Sequence, residues 1–255
     1  MIKRYILNLD KKFFNNFFSN IYYALYAFFK YPRITSLSKE TQNYFPIKAR
    51  YKFFQSADDY FRKNRVDGIY LEFGCHGAHT FRMALNTLGK YTNPYRVNKF
   101  YAFDSFEGMP EPIGIDIQKM WKRSINSTSL EDFKKICKKD LYRIEIIKGF
   151  FSESLKKYYL PEESRIAMCY IDCDYYSSTK EVFKFIEQHI NHGMILVLDD
   201  WNCYYSDPLR GQQKAFAEFK EELKEKILFS DHEILGSGGK SFICHEISKI
   251  GKEII

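Results

Sequence analysis

From about residue 66 onward, short apolar runs alternate with segments in which apolar residues recur at helical spacing. The runs are rich in β-branched and aromatic residues and predict seven strands, near Ile69–Gly74, Phe100–Asp104, Ile144–Gly149, Ile166–Asp172, Met194–Asp200, Lys226–Leu235 and Lys240–His245. The intervening segments predict helices near Thr80–Leu88, Ser129–Lys139, Ser178–His189 and Gln212–Lys226. Continuous apolar strands alternating with amphipathic helices predict an α/β fold, a doubly wound and mostly parallel seven-stranded sheet.

A different pattern occupies the N-terminal segment. Bulky apolar residues recur at helical spacing as far as Pro32, which predicts an amphipathic helix with an aromatic stripe. Residues 31–50, which include Pro46, are expected to form a polar linker. The predicted domains are therefore an N-terminal helical extension over 1–50 and the main domain over 51–255. We expect the helix to pack on the main domain or on a second copy, as a homodimer, with a membrane-surface anchor as the alternative.

Composition narrows the class of protein. The 255 residues include 39 Lys and Arg against 32 Asp and Glu, a net charge of +7. The basic residues are scattered, so no nucleic-acid partner is expected. The longest apolar stretch of the N-terminal segment is too short to span a membrane. The six cysteines form no Cys-x-x-Cys pair, which favours a cytoplasmic protein with reduced thiols.

The first strand runs into a glycine-containing turn. The turn has the pattern E-x-G-x-x-G at Glu72, Gly74 and Gly77, and Asp104 ends the next strand. The glycines let the backbone approach a ligand closely, and a carboxylate on the neighbouring strand can accept both hydroxyls of a ribose. His76 stands where a dinucleotide-binding pattern needs Gly, which favours a nucleoside cofactor over a pyrophosphate.

Four carboxylates follow the fourth and fifth strands: Asp172, Asp174, Asp199 and Asp200. Such groups repel one another in a small crevice unless a cation or protons intervene, and oxygen-only ligands suit Mg²⁺. Asp172 and Asp174 point to the same side of an extended segment, so one could bind the metal while the other reaches a substrate proton. Helix caps or salt-bridge partners are the alternative interpretation of these acids.

Five motifs, in register over about residues 66–245, resemble the macrocin O-methyltransferase family. They are YLEFGCHG from Tyr70, FDSFEGMP from Phe103, KGFFSESL from Lys148, YIDCDYYSST from Tyr170 and LDDW from Leu198. The resemblance implies a Rossmann-like class I methyltransferase that depends on S-adenosylmethionine. Several members of the family methylate sugar hydroxyls with Mg²⁺.

The resemblance also implies roles for individual residues. Asp104 would hold the ribose, and Asp174 would be the catalytic general base. The Mg²⁺ ligands would be Asp172, Asp199 and Asp200. The other cofactor-binding residues would be Glu72, Gly74, Cys75, His76, Gly77, Thr80, Ser105, Gly149, Phe150, Phe151, Ser152 and Asp172.

The expected function is therefore Mg²⁺-dependent O-methylation of a sugar or glycan precursor, from a capsule or surface glycan or a natural-product glycoside. A nucleotide-activated phospho-compound, methylated on O or N, is an alternative acceptor. Lys119, Lys122, Arg123 and Arg210 could meet an acceptor phosphate, such as that of a nucleotide-linked sugar, with an ion pair to an Asp as the alternative for Arg210. Residues 106–128 form a long segment that is expected to cover the acceptor, with a plain surface insertion as the alternative.

Two alternatives come from other classes of protein. Asp172-x-Asp174 matches the D-x-D motif of metal-dependent glycosyltransferases, although that interpretation leaves Glu72, Gly74 and the Asp199-Asp200 pair unexplained. A non-catalytic protein that binds surfaces through its basic, aromatic N-terminus is the other alternative.

Overall fold

The structure is a computed structural model that describes residues 37–89, 94–119, 127–236 and 238–252, with side chains from residue 48 onward. The chain forms two compact units, Met1–Ala49 and Arg50–Ile255. The predicted aromatic helix before Pro32 lies outside the described residues, so its packing, the homodimer and the membrane anchor stay predictions. None of the helices in the described ranges has the length and apolar character that crossing a membrane requires.

A seven-stranded sheet organises the second unit. Its strands are β1 Ile69–Phe73, β2 Phe100–Asp104, β3 Ile144–Lys148, β4 Ile166–Ile171, β5 Ile195–Leu198, β6 Ile227–Ile234 and β7 Lys240–Glu246. They lie in the order β3-β2-β1-β4-β5-β7-β6. The first five strands are parallel, and β7 runs antiparallel to both β5 and β6. The predicted α/β fold with a mostly parallel seven-stranded sheet is confirmed.

Helices connect these strands. They are α1 Leu37–Asn64, α2 His79–Thr87, α3 Leu130–Ile136, α4 Phe151–Ser154, α5 Tyr176–Ile186 and α6 Gly211–Leu223. Short 3₁₀ turns occur at Gly114–Asp116, Leu141–Arg143, Glu187–His189, Tyr204–Ser206 and Ile247–Lys249.

The core lies on both faces of the central strands. β1, β4 and β5 are buried along their whole length, as expected for parallel strands between two layers of helices. Phe73 and Phe103 stack across β1 and β2 with ring centroids 4.5 Å apart, and Phe183 and Phe219 join α5 to α6 at 4.2 Å. This packing brings the carboxyl ends of the parallel strands to one edge of the sheet.

Helix α1 corrects the predicted linker. The prediction of a linker over 31–50 is wrong from residue 37 on, because a helix runs from Leu37 to Asn64 and includes Pro46. Its later turns belong to the domain: Phe53, Phe54, Ala57 and Phe61 are buried. These four positions share one face of a helix, and burial of that face outweighs the polar residues between them.

Phe54 tests the contribution of α1 to the core. The Phe54 ring is fully buried and stacks on Tyr170 of β4 at a centroid distance of 5.8 Å. We expect Phe54→Ala to lower the free energy of unfolding by about 3–5 kcal/mol, because it leaves a cavity between helix and sheet. Chemical denaturation measures this change.

The matched control is Tyr159→Ala, which truncates an aromatic ring that is 82% exposed. This variant should change the free energy of unfolding by less than about 0.5 kcal/mol. Equal effects of the two substitutions would mean that α1 is not part of the folded core.

Candidate active site

A cavity of about 580 Å³ opens where β1 to β4 end. All of the predicted cofactor-binding residues except Glu72 line it: Gly74, Cys75, His76, Gly77, Thr80, Asp104, Ser105, Gly149, Phe150, Phe151, Ser152 and Asp172. Asp174 lines it as well, whereas Asp199 and Asp200 are not among the lining residues. Ligands of open α/β sheets bind at this edge of the sheet.

The turn after β1 requires its glycine. Gly74 has φ +89°, and a Cβ atom there would lie 1.8 Å from the carbonyl oxygen of Asp172. Any side chain would therefore push the turn away from the end of β4. His76 and Ala78 also adopt positive φ values, 31° and 57°, so the turn is tightly wound over the strand ends.

Asp104 braces this turn from the neighbouring strand. One oxygen of its carboxylate accepts hydrogen bonds from the backbone N–H groups of Cys75 at 2.7 Å and His76 at 3.1 Å. The other oxygen accepts from the N–H of Phe106 at 2.6 Å. Three backbone donors already hold this carboxylate at the cavity wall, and its contact with a ribose stays a prediction.

The structure places Glu72 beneath the cavity rather than in its wall. Glu72 is fully buried, and its carboxylate accepts hydrogen bonds from Thr80 Oγ1 at 2.6 Å and from the Tyr70 hydroxyl. Glu72 and Tyr70 share one face of β1 because side chains two residues apart in a strand point the same way. A direct contact between Glu72 and the cofactor is not supported by this position. Glu72 instead holds Thr80, which does line the cavity.

Burial raises the pKa of Glu72 to about 8, although the hydrogen bonds from Thr80 and Tyr70 oppose the shift. The folded chain therefore binds this proton more tightly than the unfolded chain does. Between the ordinary pKa of a glutamate and about 8, the folded state holds more protons, so its stability falls as the pH rises.

We expect Glu72→Gln to gain stability relative to the wild type as the pH rises from about 5 to about 9, because glutamine has no proton to lose. Urea denaturation across this range measures the difference. Glu225→Gln, which alters an exposed glutamate beyond α6, is the control and should give a pH-independent difference. A flat difference for Glu72→Gln as well would contradict the shifted pKa.

The four predicted aspartates converge at the ends of β4 and β5. Ligand oxygens of Asp172, Asp199 and Asp200 lie within 4.8 Å of one another. The backbone N–H of Asp174 donates to Asp200 Oδ2 at 2.8 Å, so the base predicted at Asp174 adjoins the cluster. Asp174 has φ 61°, an unusual left-handed conformation for a residue other than glycine.

Burial and mutual repulsion dominate the electrostatics of this acidic cluster. Burial first, and then the neighbouring carboxylates, raise the pKa values of Asp172 and Asp200 well above the ordinary range. The same causes, with Asp172 as the main neighbour, raise the pKa of Asp174 to about 7. A cation at this edge of the sheet would offset the repulsion.

Arg50 of α1, which is not among the predicted site residues, supplies one such cation. Its Nε donates to Asp199 Oδ1 at 3.2 Å, and its Nη2 donates to Asp199 Oδ2. The Tyr170 hydroxyl donates to Asp199 Oδ1 at 2.5 Å. Burial lowers the pKa of Arg50, but Tyr170, Asp199 and Asp172 outweigh burial and hold it above the ordinary value. Arg50 precedes Phe53 and Phe54 at helical spacing, a signal that could have placed it on the inner face of a helix.

The seven-stranded Rossmann-like sheet carries a glycine turn after β1, an acid at the end of β2 and a cavity between them, and together with the family match given next this makes the chain a class I S-adenosylmethionine-dependent methyltransferase. Residues 45–230 match the family model described as Macrocin-O-methyltransferase (TylF), and the chain belongs to this family. The family resemblance drawn from the five motifs is therefore confirmed.

The solved structures that are similar in fold include two methyltransferases. The O-methyltransferase NovP is 18% identical over 76% of this chain and 79% of its own, with a TM-score of 0.59. The calicheamicin methyltransferase CalS11 is 18% identical over 88% of this chain and 91% of its own, with a TM-score of 0.58. At 18% sequence identity, these similarities show the fold alone. No curated protein sequence matches this chain.

Proposed function

We propose that this methyltransferase transfers a methyl group from S-adenosylmethionine to a hydroxyl of a sugar or glycan precursor, and that Mg²⁺ assists the transfer. A precursor of a capsule or surface glycan, or a natural-product glycoside, would be the acceptor. The observation that carries the proposal is the convergence of Asp172, Asp174, Asp199 and Asp200 beside a cavity with a glycine turn.

The cofactor would occupy the wall formed by the turns after β1, β2 and β3. The turn from Gly74 to Gly77 would follow its methionine and ribose part, Asp104 would accept the ribose hydroxyls, and Gly149 to Ser152 would border the adenine. When bound, S-adenosylmethionine supplies an electrophilic methyl group on a sulfonium sulfur.

Asp174 would act as the general base. An alcohol is a poor nucleophile at neutral pH, so the transfer needs a group that accepts the hydroxyl proton as the new O–C bond forms. Asp174 lines the cavity, and the hydrogen bond from its backbone N–H to Asp200 holds it at the edge of the acidic cluster. The proton would pass from the acceptor hydroxyl to the Asp174 carboxylate.

The acidic cluster fits Mg²⁺. Asp172, Asp199 and Asp200 offer only oxygen ligands, close together and largely buried, which is the donor set that this ion prefers. Arg50 pairs with Asp199 and so already offsets part of the negative charge of the cluster. Mg²⁺ at this position would lower the pKa of the acceptor hydroxyl and orient it.

The other acceptors and activities have less support. The guanidinium of Arg210, one of the basic groups predicted to meet an acceptor phosphate, donates to the carbonyl oxygens of Ile115 and Ile117. Lys122 and Arg123 lie outside the described residues, so a nucleotide-activated phospho-compound stays an alternative. The family match decides against a glycosyltransferase and against a non-catalytic surface-binding protein. The cytoplasmic location and the absence of a nucleic-acid partner stay predictions.

A methyl-transfer screen of free, glycosidic and nucleotide-linked sugars, with and without Mg²⁺, tests the acceptor. With an acceptor found, Asp174→Asn should lower turnover by about 10²–10⁴-fold and leave the calorimetric affinity for S-adenosylmethionine unchanged, because it removes only the proton acceptor. Asp140→Asn, at a carboxylate that pairs with Arg143, is the control and should keep full turnover.

Unchanged turnover in Asp174→Asn would remove Asp174 from the role of base. Transfer to phosphorylated nucleotide compounds but to no sugar hydroxyl would replace the proposed acceptor with the alternative one.

Removal of metal tests the second part of the proposal. We expect EDTA treatment followed by dialysis to abolish turnover and added Mg²⁺ to restore it. Asp172→Asn should need at least about tenfold more Mg²⁺ for half-maximal turnover, because it removes one charged ligand. Asp67→Asn, at an exposed carboxylate before β1, serves as the control and should show the wild-type Mg²⁺ requirement. Full activity after EDTA treatment would exclude a required metal ion.

A further inference from the structure

One buried aspartate outside the acidic cluster connects three parts of the site. Asp116 belongs to the loop after β2 and is only 2% exposed. Its carboxylate accepts hydrogen bonds from the backbone N–H groups of Tyr176 at 2.8 Å and Ser177 at 3.4 Å, in the first turn of α5. Its main-chain oxygen accepts a hydrogen bond from the Tyr204 hydroxyl at 3.2 Å. This residue therefore contacts the segments that follow both β4 and β5.

The first of these segments carries Asp174 in its left-handed conformation, at φ 61°. Such backbone persists where the surroundings hold it from several sides. On one side, the N–H of Asp174 donates to the carboxylate of Asp200. On the other side, the N–H groups of Tyr176 and Ser177, two and three residues further along the chain, donate to the Asp116 side chain at the amino end of α5. Asp116 and Asp200 thus hold the backbone around Asp174 between them.

The second segment is strained over three consecutive residues. Tyr204, Tyr205 and Ser206 have φ values of 57°, 62° and 56°. The Tyr204 ring is buried and lies so close to Gly211 that a Cβ atom there would be 2.7 Å from it. Because the Tyr204 hydroxyl donates to Asp116, the strained segment after Asp200 is held by the same residue as the segment around Asp174.

Arg210 strengthens the second connection. Its guanidinium lies 4.9 Å from the centre of the Tyr204 ring and donates to the carbonyl oxygens of Ile115 at 2.8 Å and Ile117 at 2.9 Å. These two residues flank Asp116 in the chain. The loop is therefore fastened on both sides of Asp116 to the segment that leads into α6.

We infer that Asp116 is a positioning residue for methyl transfer: it sets the turn that carries Asp174 relative to the turn that follows Asp199 and Asp200. A helix cap would need only the carboxylate contacts with α5. The main-chain oxygen of the same residue accepts from Tyr204, so losing the carboxylate should release the loop from α5 and, through the loop, loosen the Tyr204 turn as well. The effect on turnover rests on the proposed role of Asp174, whereas the coupling of the two turns does not.

Amide-resolved hydrogen exchange on the full chain with S-adenosylmethionine tests the coupling without an acceptor or a metal. In Asp116→Ala, the amides of Asp174 and Asp207, whose acceptors remain in place, should exchange at least about tenfold faster. Asp116→Asn keeps one acceptor oxygen and should give an intermediate rate. If only the amides of Tyr176 and Ser177 exchange faster, Asp116 is merely a helix cap and the inference is overturned.

Turnover with an acceptor from the screen provides the second measurement. Asp116→Ala should lower kcat by about tenfold or more, with Asp116→Asn in between and the affinity for S-adenosylmethionine unchanged. Loosened turns with unchanged kcat would overturn the positioning role.

The matched control is Glu246→Gln. The Glu246 carboxylate also accepts from a backbone N–H, that of His192 at 2.9 Å, but at the opposite end of the sheet. This variant should alter neither the exchange of Asp174 and Asp207 nor kcat. If no compound in the screen accepts a methyl group, the proposed function fails while the exchange data still decide the coupling.

Discussion

Repulsion among buried carboxylates is the constraint on which the site depends. Parallel strands end at the same edge of a sheet, so acids at the ends of β4 and β5 are forced together. Ligand oxygens of Asp172, Asp199 and Asp200 come within 4.8 Å of one another. Burial and the neighbouring carboxylates raise the pKa values of Asp172 and Asp200, which favours their neutral form. Arg50 and the hydroxyl of Tyr170 offset part of this repulsion, because both donate hydrogen bonds to Asp199. The proposed Mg²⁺ would offset much of the rest.

The same constraint explains why distant parts of the chain close around this edge. Helix α1 brings a guanidinium to Asp199, and its aromatic face is buried in the same domain. The loop after β2 brings Asp116, which holds backbone next to the acids rather than adding to their cluster. Left-handed residues on both acid-bearing turns are tolerated because hydrogen bonds from more than one element hold them. The strained backbone of these turns lowers stability locally, but it holds the charged side chains in a defined arrangement.

Sequence reasoning succeeded where local pattern and chain order are sufficient. Apolar runs predicted the strands, and Gly74 was singled out for a turn that, in the structure, leaves no room for a Cβ atom. Sequence reasoning was insufficient where packing decides which groups a side chain contacts. Glu72 was expected beside the cofactor, yet it does not line the cavity, and its carboxylate accepts hydrogen bonds from Tyr70 and Thr80 instead. Arg50 was assigned to a linker because its partner Asp199 is 149 residues away in the chain.

By itself, the sequence determined the fold class, the family and the strand ends where the chemistry gathers, because hydrophobic periodicity and strand-terminal motifs are local properties of the chain. Only the tertiary structure decided which polar groups meet: Arg50 with Asp199, Thr80 with Glu72, and Asp116 with two separate turns. These pairings arise from the packing of helices and loops on the sheet. Their energies depend on burial, which no short stretch of sequence encodes.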